Sequence, residues 1–309
     1  MATLAQEAQQ EAGVSLKKIL LATDFSDASE KAFKFATAIA RLHGSKIYLV
    51  HVISPGSNPL IPEIPSDRLR CEAEREMEDL ASRSELKQLA HETALRAGAV
   101  WSVLSALICE QNIDIVVLGT HGRGGLKKLV LGSVAEEVVR RAGCPVITVG
   151  PHIDVPLSAA GEIHKILFTS DFHPASAKAL DYALLFANQP QAKLILLHVL
   201  PPAGLPGGGL AFYDEPAINQ WQAKVIATAK SKLEKLLPPA AKLWSEPEYV
   251  VGFDFTADGI VKVASERKAD LIVMGANRPM SAKVSAHFLR AVTYDVIRHA
   301  KCPVLTISA

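Results

Sequence analysis

Lys18-Ile19-Leu20-Leu21-Ala22-Thr23-Asp24-Phe25 returns 147 residues later as Lys165-Ile166-Leu167-Phe168-Thr169-Ser170-Asp171-Phe172. Three further segments repeat in the same order. Ile47-Tyr48-Leu49-Val50-His51-Val52 recurs as Leu194-Ile195-Leu196-Leu197-His198-Val199 at the same offset of 147. Asp114-Ile115-Val116-Val117-Leu118-Gly119 recurs as Asp270-Leu271-Ile272-Val273-Met274-Gly275, and Cys144-Pro145-Val146-Ile147-Thr148-Val149 as Cys302-Pro303-Val304-Leu305-Thr306-Ile307. The later offsets are 156 and 158, so the second copy carries small insertions. Four matched segments in one order make the chain an internal duplication.

Each repeated run is short and rich in Val, Ile and Leu. Such runs read as strands buried on both faces of a parallel sheet. Helical patterns lie between them. Phe33, Ala36 and Ala40 form one apolar stripe, matched in the second copy by Leu180, Ala183 and Ala187. Asp27 with Glu30 three residues on reads as the capping pair that starts this helix. Further helices are expected over 67–83, 101–110 and 134–142, and the weakest strands over 89–95 and 248–251. Strand and helix in alternation give an α/β class, doubly wound with right-handed crossovers. The expected layout is an extension over 1–14, a first domain over 15–150, a linker over 151–162 and a second domain over 163–309. A loop over 201–216 contains Gly207-Gly208-Gly209 and is too glycine-rich to hold one shape.

The totals exclude several classes. With 33 basic against 32 acidic residues the net charge is +1, without the basic excess of a nucleic-acid binder. Cys71, Cys109, Cys144 and Cys302 lack metal-ligand spacing and read as reduced thiols. Residues 1–13 have neither a basic n-region nor an apolar h-region, which reads against a signal peptide. No stretch approaches the roughly 20 apolar residues of a membrane span. A cytoplasmic protein without membrane or nucleic-acid partners is expected.

Chemistry concentrates after the fourth strand. Gly119-Thr120-His121-Gly122-Arg123-Gly124-Gly125 is followed by Gly132-Ser133, with nine residues between Gly122 and Gly132. Open α/β sheets bind ligands at the carboxyl ends of strands. Glycines permit close backbone approach, and Ser133 reads as the N-cap of a helix beginning at Val134, whose free amides attract an anion. Arg123, Lys127 and Lys128 add positive charge. Asp24, at the end of the first strand, suits the hydroxyls of a ribose or the edge of a base; capping the following helix is its structural alternative. Val52 offers a base an apolar contact. His121 either touches phosphate or is solvent-exposed. There is no G-x-x-x-x-G-K-[ST] run, so this is not a P-loop, and the glycine spacing is a poor dinucleotide fingerprint.

At these residues the sequence resembles the universal stress protein family over nearly the whole chain, twice. ATP-binding members carry G-x2-G-x9-G-(S/T) after the fourth strand, and Gly119, Gly122, Gly132 and Ser133 match it in position. They also carry an aspartate matched by Asp24. The resemblance implies adenine contacts at Ala22, Thr23 and Val52; His121, Arg123 and Val134 join the expected site by their place in the glycine loop and at the helix start. It implies ATP with Mg as the cofactor, a role in stress response, and a five-stranded parallel sheet of order 3-2-1-4-5 in each domain. It further implies pairing of the two domains through strands 145–149 and 303–307, and a homodimer.

The second copy departs from that motif. Gly275 and Asp171 are kept, but Arg278 replaces the second glycine. Counted back from Cys302, the third glycine and the hydroxyl become Arg290 and Ala291; counted forward from Gly275, the glycine position falls on Phe288. This copy is expected to hold no nucleotide, although an arginine there could also contact a phosphate. Three functions compete for the whole: a regulatory ATP-binding module, a slow ATPase or nucleotidyl transferase, and a scaffold that needs no ligand. His51 and His198 end matching strands, as packed residues or as catalysts. Cys144 and Cys302 precede proline, as small buried hydrophobes or as redox groups.

Overall fold

The structure, a computed structural model, describes residues 14–54, 67–122, 131–151, 153, 162–201, 215–276 and 285–308, without the side chains of residues 217 and 285–291. All of the expected extension but Val14, most of the linker, residues 202–214 of the expected loop over 201–216, and Arg123, Lys127 and Lys128 lie outside the described residues; residues 215–216 of that loop are helical instead. In chain order the first domain is β1 (Lys18–Thr23), α1 (Asp27–His43), β2 (Lys46–Ile53), α2 (Asp67–Ala81), β3 (His91–Ala97), α3 (Val100–Gln111), β4 (Ile115–Gly119), α4 (Ser133–Arg141) and β5 (Val146–Val149). The second is β6 (Lys165–Thr169), α5 (Pro174–Ala187), β7 (Lys193–Leu200), α6 (Glu215–Glu234), β8 (Glu248–Phe253), α7 (Thr256–Arg267), β9 (Leu271–Ala276), α8 (Ser285–His299) and β10 (Val304–Ser308).

The strands stand in the order β3-β2-β1-β4-β5-β10-β9-β6-β7-β8. Each half therefore has the order 3-2-1-4-5, parallel throughout. The halves join where β5 meets β10 antiparallel, with Ile147 opposite Leu305. Two threonines close this seam. Thr148 Oγ1 donates to the Val304 carbonyl at 3.3 Å and Thr306 Oγ1 to the Val146 carbonyl at 3.2 Å, so both buried hydroxyls are satisfied across the junction. The end strands thereby cover each other's open edges, which would otherwise invite pairing with other chains.

Residue alternation sends the strand side chains into two cores that each run across both domains. Ile19, Leu21, Ile147, Phe168 and Leu305 pack on one side with Phe33, Ala36, Ala40, Leu180, Ala183 and Ala187 of α1 and α5. Leu20, Val116, Leu167 and Val304 face the other side with Leu104, Val138, Ile260 and Val296. The expected helix stripes are thus the buried faces.

One expected helix start is corrected. Ser26, not Asp27, caps α1: its hydroxyl accepts from the Ser29 amide at 3.3 Å. Three residues after Ser26 comes Ser29, not Glu30, and the Glu30 carboxylate instead accepts from Arg83 Nη1 at 2.8 and 2.6 Å. Gly44 ends α1 with φ at 66°, a left-handed position suited to glycine. On α2 the Arg70–Glu74 pair at 3.0 Å lies on an exposed face, as its charge pattern predicts.

Candidate functional site

An open cleft of about 680 Å³, space open to solvent included, lies at the carboxyl ends of β1, β2 and β4. It brings together Ala22, Thr23, Asp24, Val52, Gly119, His121, Gly122, Gly132, Ser133 and Val134, every expected site residue within the described segments. Arg123 lies outside them. Ser29, Val50, Val100, Leu104, Leu118, Thr120 and Ala135 complete the lining and were not singled out from sequence. Val50 was findable, since residues two apart on a strand share a face with Val52. So was Ser29, which recurs as Ser176 five residues after the second copy's aspartate.

Asp24 divides its carboxylate. Oδ1 accepts from the Ser26 amide at 3.1 Å, from the Ser26 hydroxyl at 2.6 Å and from the Ser29 hydroxyl. This is an Asx turn leading into α1, so the structural alternative for Asp24 is realised by one oxygen. Oδ2 lies on the Gly122 side, 2.6 Å from where a Cβ on Gly122 would stand. A side chain on Gly122 would press on that carboxylate oxygen, the end of a side chain rather than backbone. Gly119 answers to a different neighbour. A Cβ there would sit 2.8 Å from the Ala28 carbonyl carbon and the Ser29 nitrogen, at the start of α1. A Cβ on Gly132 would meet the Thr120 carbonyl at 3.0 Å, and that carbonyl accepts from the Gly132 amide at 2.8 Å.

The opposite wall is the start of α4. Here too the expectation shifts by one residue: Gly132 is the N-cap and Ser133 the first helical residue. Gly132 has no side chain to cap the first-turn amides, and among the described residues none replaces it. Such amides carry the positive end of the helix dipole and seek an anion or water. Val134, 37% exposed, stands apolar among them. His121 is half-buried rather than simply solvent-exposed; its Nδ1 and Thr120 Oγ1 share a hydrogen bond of 2.8 Å, and its carbonyl accepts from the Ser26 hydroxyl at 3.0 Å. The cleft therefore has a carboxylate and apolar side chains at one end and bare amides at the other.

The sequence model of the universal stress protein family matches residues 15–150 and 162–308. The chain belongs to the universal stress protein family. A universal stress protein of Methanocaldococcus jannaschii is 30% identical over 138 residues, which cover 43% of this chain and 81% of that protein. One of Thermus aquaticus is 35% identical over 135 residues, covering 43% of this chain and 98% of that protein. The crystal structure of a universal stress protein from Archaeoglobus fulgidus aligns with a TM-score of 0.66 at 21% identity, covering 95% of this chain and 99% of that one, which shows a shared fold. Among the described residues no helix is long and apolar enough to cross a membrane.

The two universal stress protein domains share the turn after their first strand in detail. Phe25 and Phe172 both have positive φ, 61° and 63°. Thr23 Oγ1 and Ser170 Oγ each accept the phenylalanine amide at 3.0 Å. His51 donates from Nδ1 to the Thr23 carbonyl and His198 to the Ser170 carbonyl, both at 2.7 Å, and each ring lies 4.5 Å from its phenylalanine. These histidines brace a strained turn, which is the packed reading rather than the catalytic one. Burial pushes the Cys144 thiol up to about 11 and the Cys302 thiol to about 12, far from the thiolate that redox chemistry needs.

The second domain has its own cleft of about 730 Å³, lined among others by Thr169, Ser170, Asp171, Val199, Met274 and Gly275. Asp171 Oδ1 accepts from the His173 amide at 3.0 Å and from the Ser176 hydroxyl. Arg278 lies outside the described residues.

Proposed function

We propose that the first domain binds ATP, with the triphosphate against the start of α4 and the adenosine end against Ala22, Thr23, Asp24 and Val52. The observation that carries this reading is the polarity of the cleft. First-turn amides without a side-chain cap line one end. Asp24, Val50 and Val52 line the other. Phosphate oxygens supply the anion that the amides lack, and a carboxylate accepts from hydroxyls or amino groups but repels phosphate. The match of Gly119, Gly122, Gly132 and Ser133 to the motif of the family's ATP-binding members supports the same assignment.

Magnesium enters as the counter-ion of the phosphates. Among the described residues no group of three His, Cys, Asp or Glu is placed to hold it on the protein alone. His121 and Arg123 belong to the phosphate end by position in the motif. In this reading the protein is a cytoplasmic regulatory module of a stress response, whose bound nucleotide is read by a partner. A homodimer would form through surfaces other than β5 and β10, which pair with each other.

Heat-denatured purified protein should release adenine nucleotide, and calorimetry on the emptied chain should show ATP binding with magnesium at one site. Ligand at a hundred times its Kd would add about 2.7 kcal/mol of stability. A protein that releases no nucleotide and binds no ATP refutes the proposal. Light scattering checks the dimer; a monomeric mass removes it.

A further inference from the structure

The second cleft keeps one half of the first and has lost the other. Asp171 and Val199 stand where the first domain has Asp24 and Val52, and Ile260 stands where it has Leu104. The aspartate-bearing, apolar end is therefore preserved. The phosphate end is changed in its backbone. Counted from Cys302, the residue matching Ser133 is Ala291, and α8 begins at Ser285, six residues earlier. Where α4 opens the cleft to unbonded first-turn amides, α8 is already in its second turn. Its amides there have carbonyls four residues back within the helix. The cleft receives Val292 and Thr293 instead. Among the described residues α8 offers an anion in that place no orphan donor. Among the described residues no lysine or arginine lines this cleft, and Asp171 adds negative charge.

We infer that the second domain's cleft binds an uncharged nucleoside, a base and ribose without phosphate. The inference rests on the proposed polarity of the first cleft for the end that takes base and ribose; the earlier start of α8 is its own observation. A second feature favours a flat ring. Phe255, 70% exposed, immediately precedes the cleft-lining Thr256, where the first copy has Ala99. An aromatic face left in solvent next to a cleft-lining residue suits stacking. The neighbouring Phe253 ring lies 6.1 Å from that of Trp221, where the first copy has Ala97 in place of Phe253.

Adenosine is the probe. Titrated into the full chain saturated with magnesium-ATP, it should bind one further equivalent. In a Gly122→Val chain, whose first cleft is obstructed, adenosine should still raise the melting temperature. AMP should bind this second cleft more weakly by about tenfold or more, the scale of one like-charge contact near a protein surface. Phe255→Ala, at an exposed position that leaves the fold intact, should weaken adenosine and leave ATP unchanged, and Thr256→Trp should abolish adenosine. Adenosine that only competes with ATP overturns this inference and leaves the first-domain proposal standing. AMP binding as tightly as adenosine overturns it too. A chain that binds no ATP but takes up adenosine in a Phe255-dependent way supports the inference and refutes the ATP site.

Discussion

Gly119 and Gly275 are kept in both copies because the same neighbour needs the same space. A Cβ on Gly275 would stand 2.6 Å from the Ala175 carbonyl carbon and the Ser176 nitrogen, as one on Gly119 would meet Ala28 and Ser29. These contacts are backbone and cannot swing aside. Gly119→Ala and Gly275→Ala should each cost about 1–3 kcal/mol, in urea unfolding with or without ATP. Gly122 is the contrasting case, since only the Asp24 carboxylate stands in the way and the second copy dispenses with the glycine. Gly122→Ala should leave urea stability nearly unchanged and remove the melting-temperature gain from ATP. Equal destabilisation by all three substitutions, with the ATP response retained in Gly122→Ala, would show that none of these glycines serves the ligand.

The repeat made the strands legible, because runs such as residues 115–118 and 271–274 are apolar on both faces and have no competing local preference. Helix starts were less legible. Ser26 and Asp27 are both capping types, and sequence spacing does not tell that it is the Ser26 hydroxyl that accepts from the Ser29 amide. The site residues of the first copy could be read because each expected one sits in a motif or at a strand end. The early start of α8 could not, because a helix extended through the lost glycine leaves no signal in spacing. The start of α4 offers a test in which two effects separate. Ser133 is exposed and is the first helical residue. Ser133→Asp places a carboxylate beside the helix dipole and should raise stability by about 0.3–1 kcal/mol. The same charge would occupy the amides that the phosphates need, so ATP affinity should fall. A rise in both quantities, measured by melting and calorimetry, would show that ATP does not lie against α4.

The ten-stranded sheet makes the two domains one mechanical unit, and α1 and α5 clasp its seam from one side. His43, at the end of α1, is buried, and its ring meets Phe186 of α5 edge-on at a centroid distance of 5.7 Å. Burial lowers the His43 pKa from 6.5 to about 4. An unfolded chain would carry that histidine at its ordinary value, so between about pH 6.5 and 4 the unfolded state binds the additional proton. Stability should therefore be complete above pH 6.5 and fall as the pH drops through this window, by about 3 kcal/mol in all from this group. Carboxylates add their own slope below pH 5, so the informative quantity is the difference between the native chain and His43→Leu. The urea midpoint of the variant should lack the decline between pH 6.5 and 5. Phe186→Ala, which opens the contact to water, should flatten the same region by letting the histidine charge in place. Parallel pH profiles for all three chains would mean that His43 titrates normally and that the contact between the domains on this face is looser than the geometry shows.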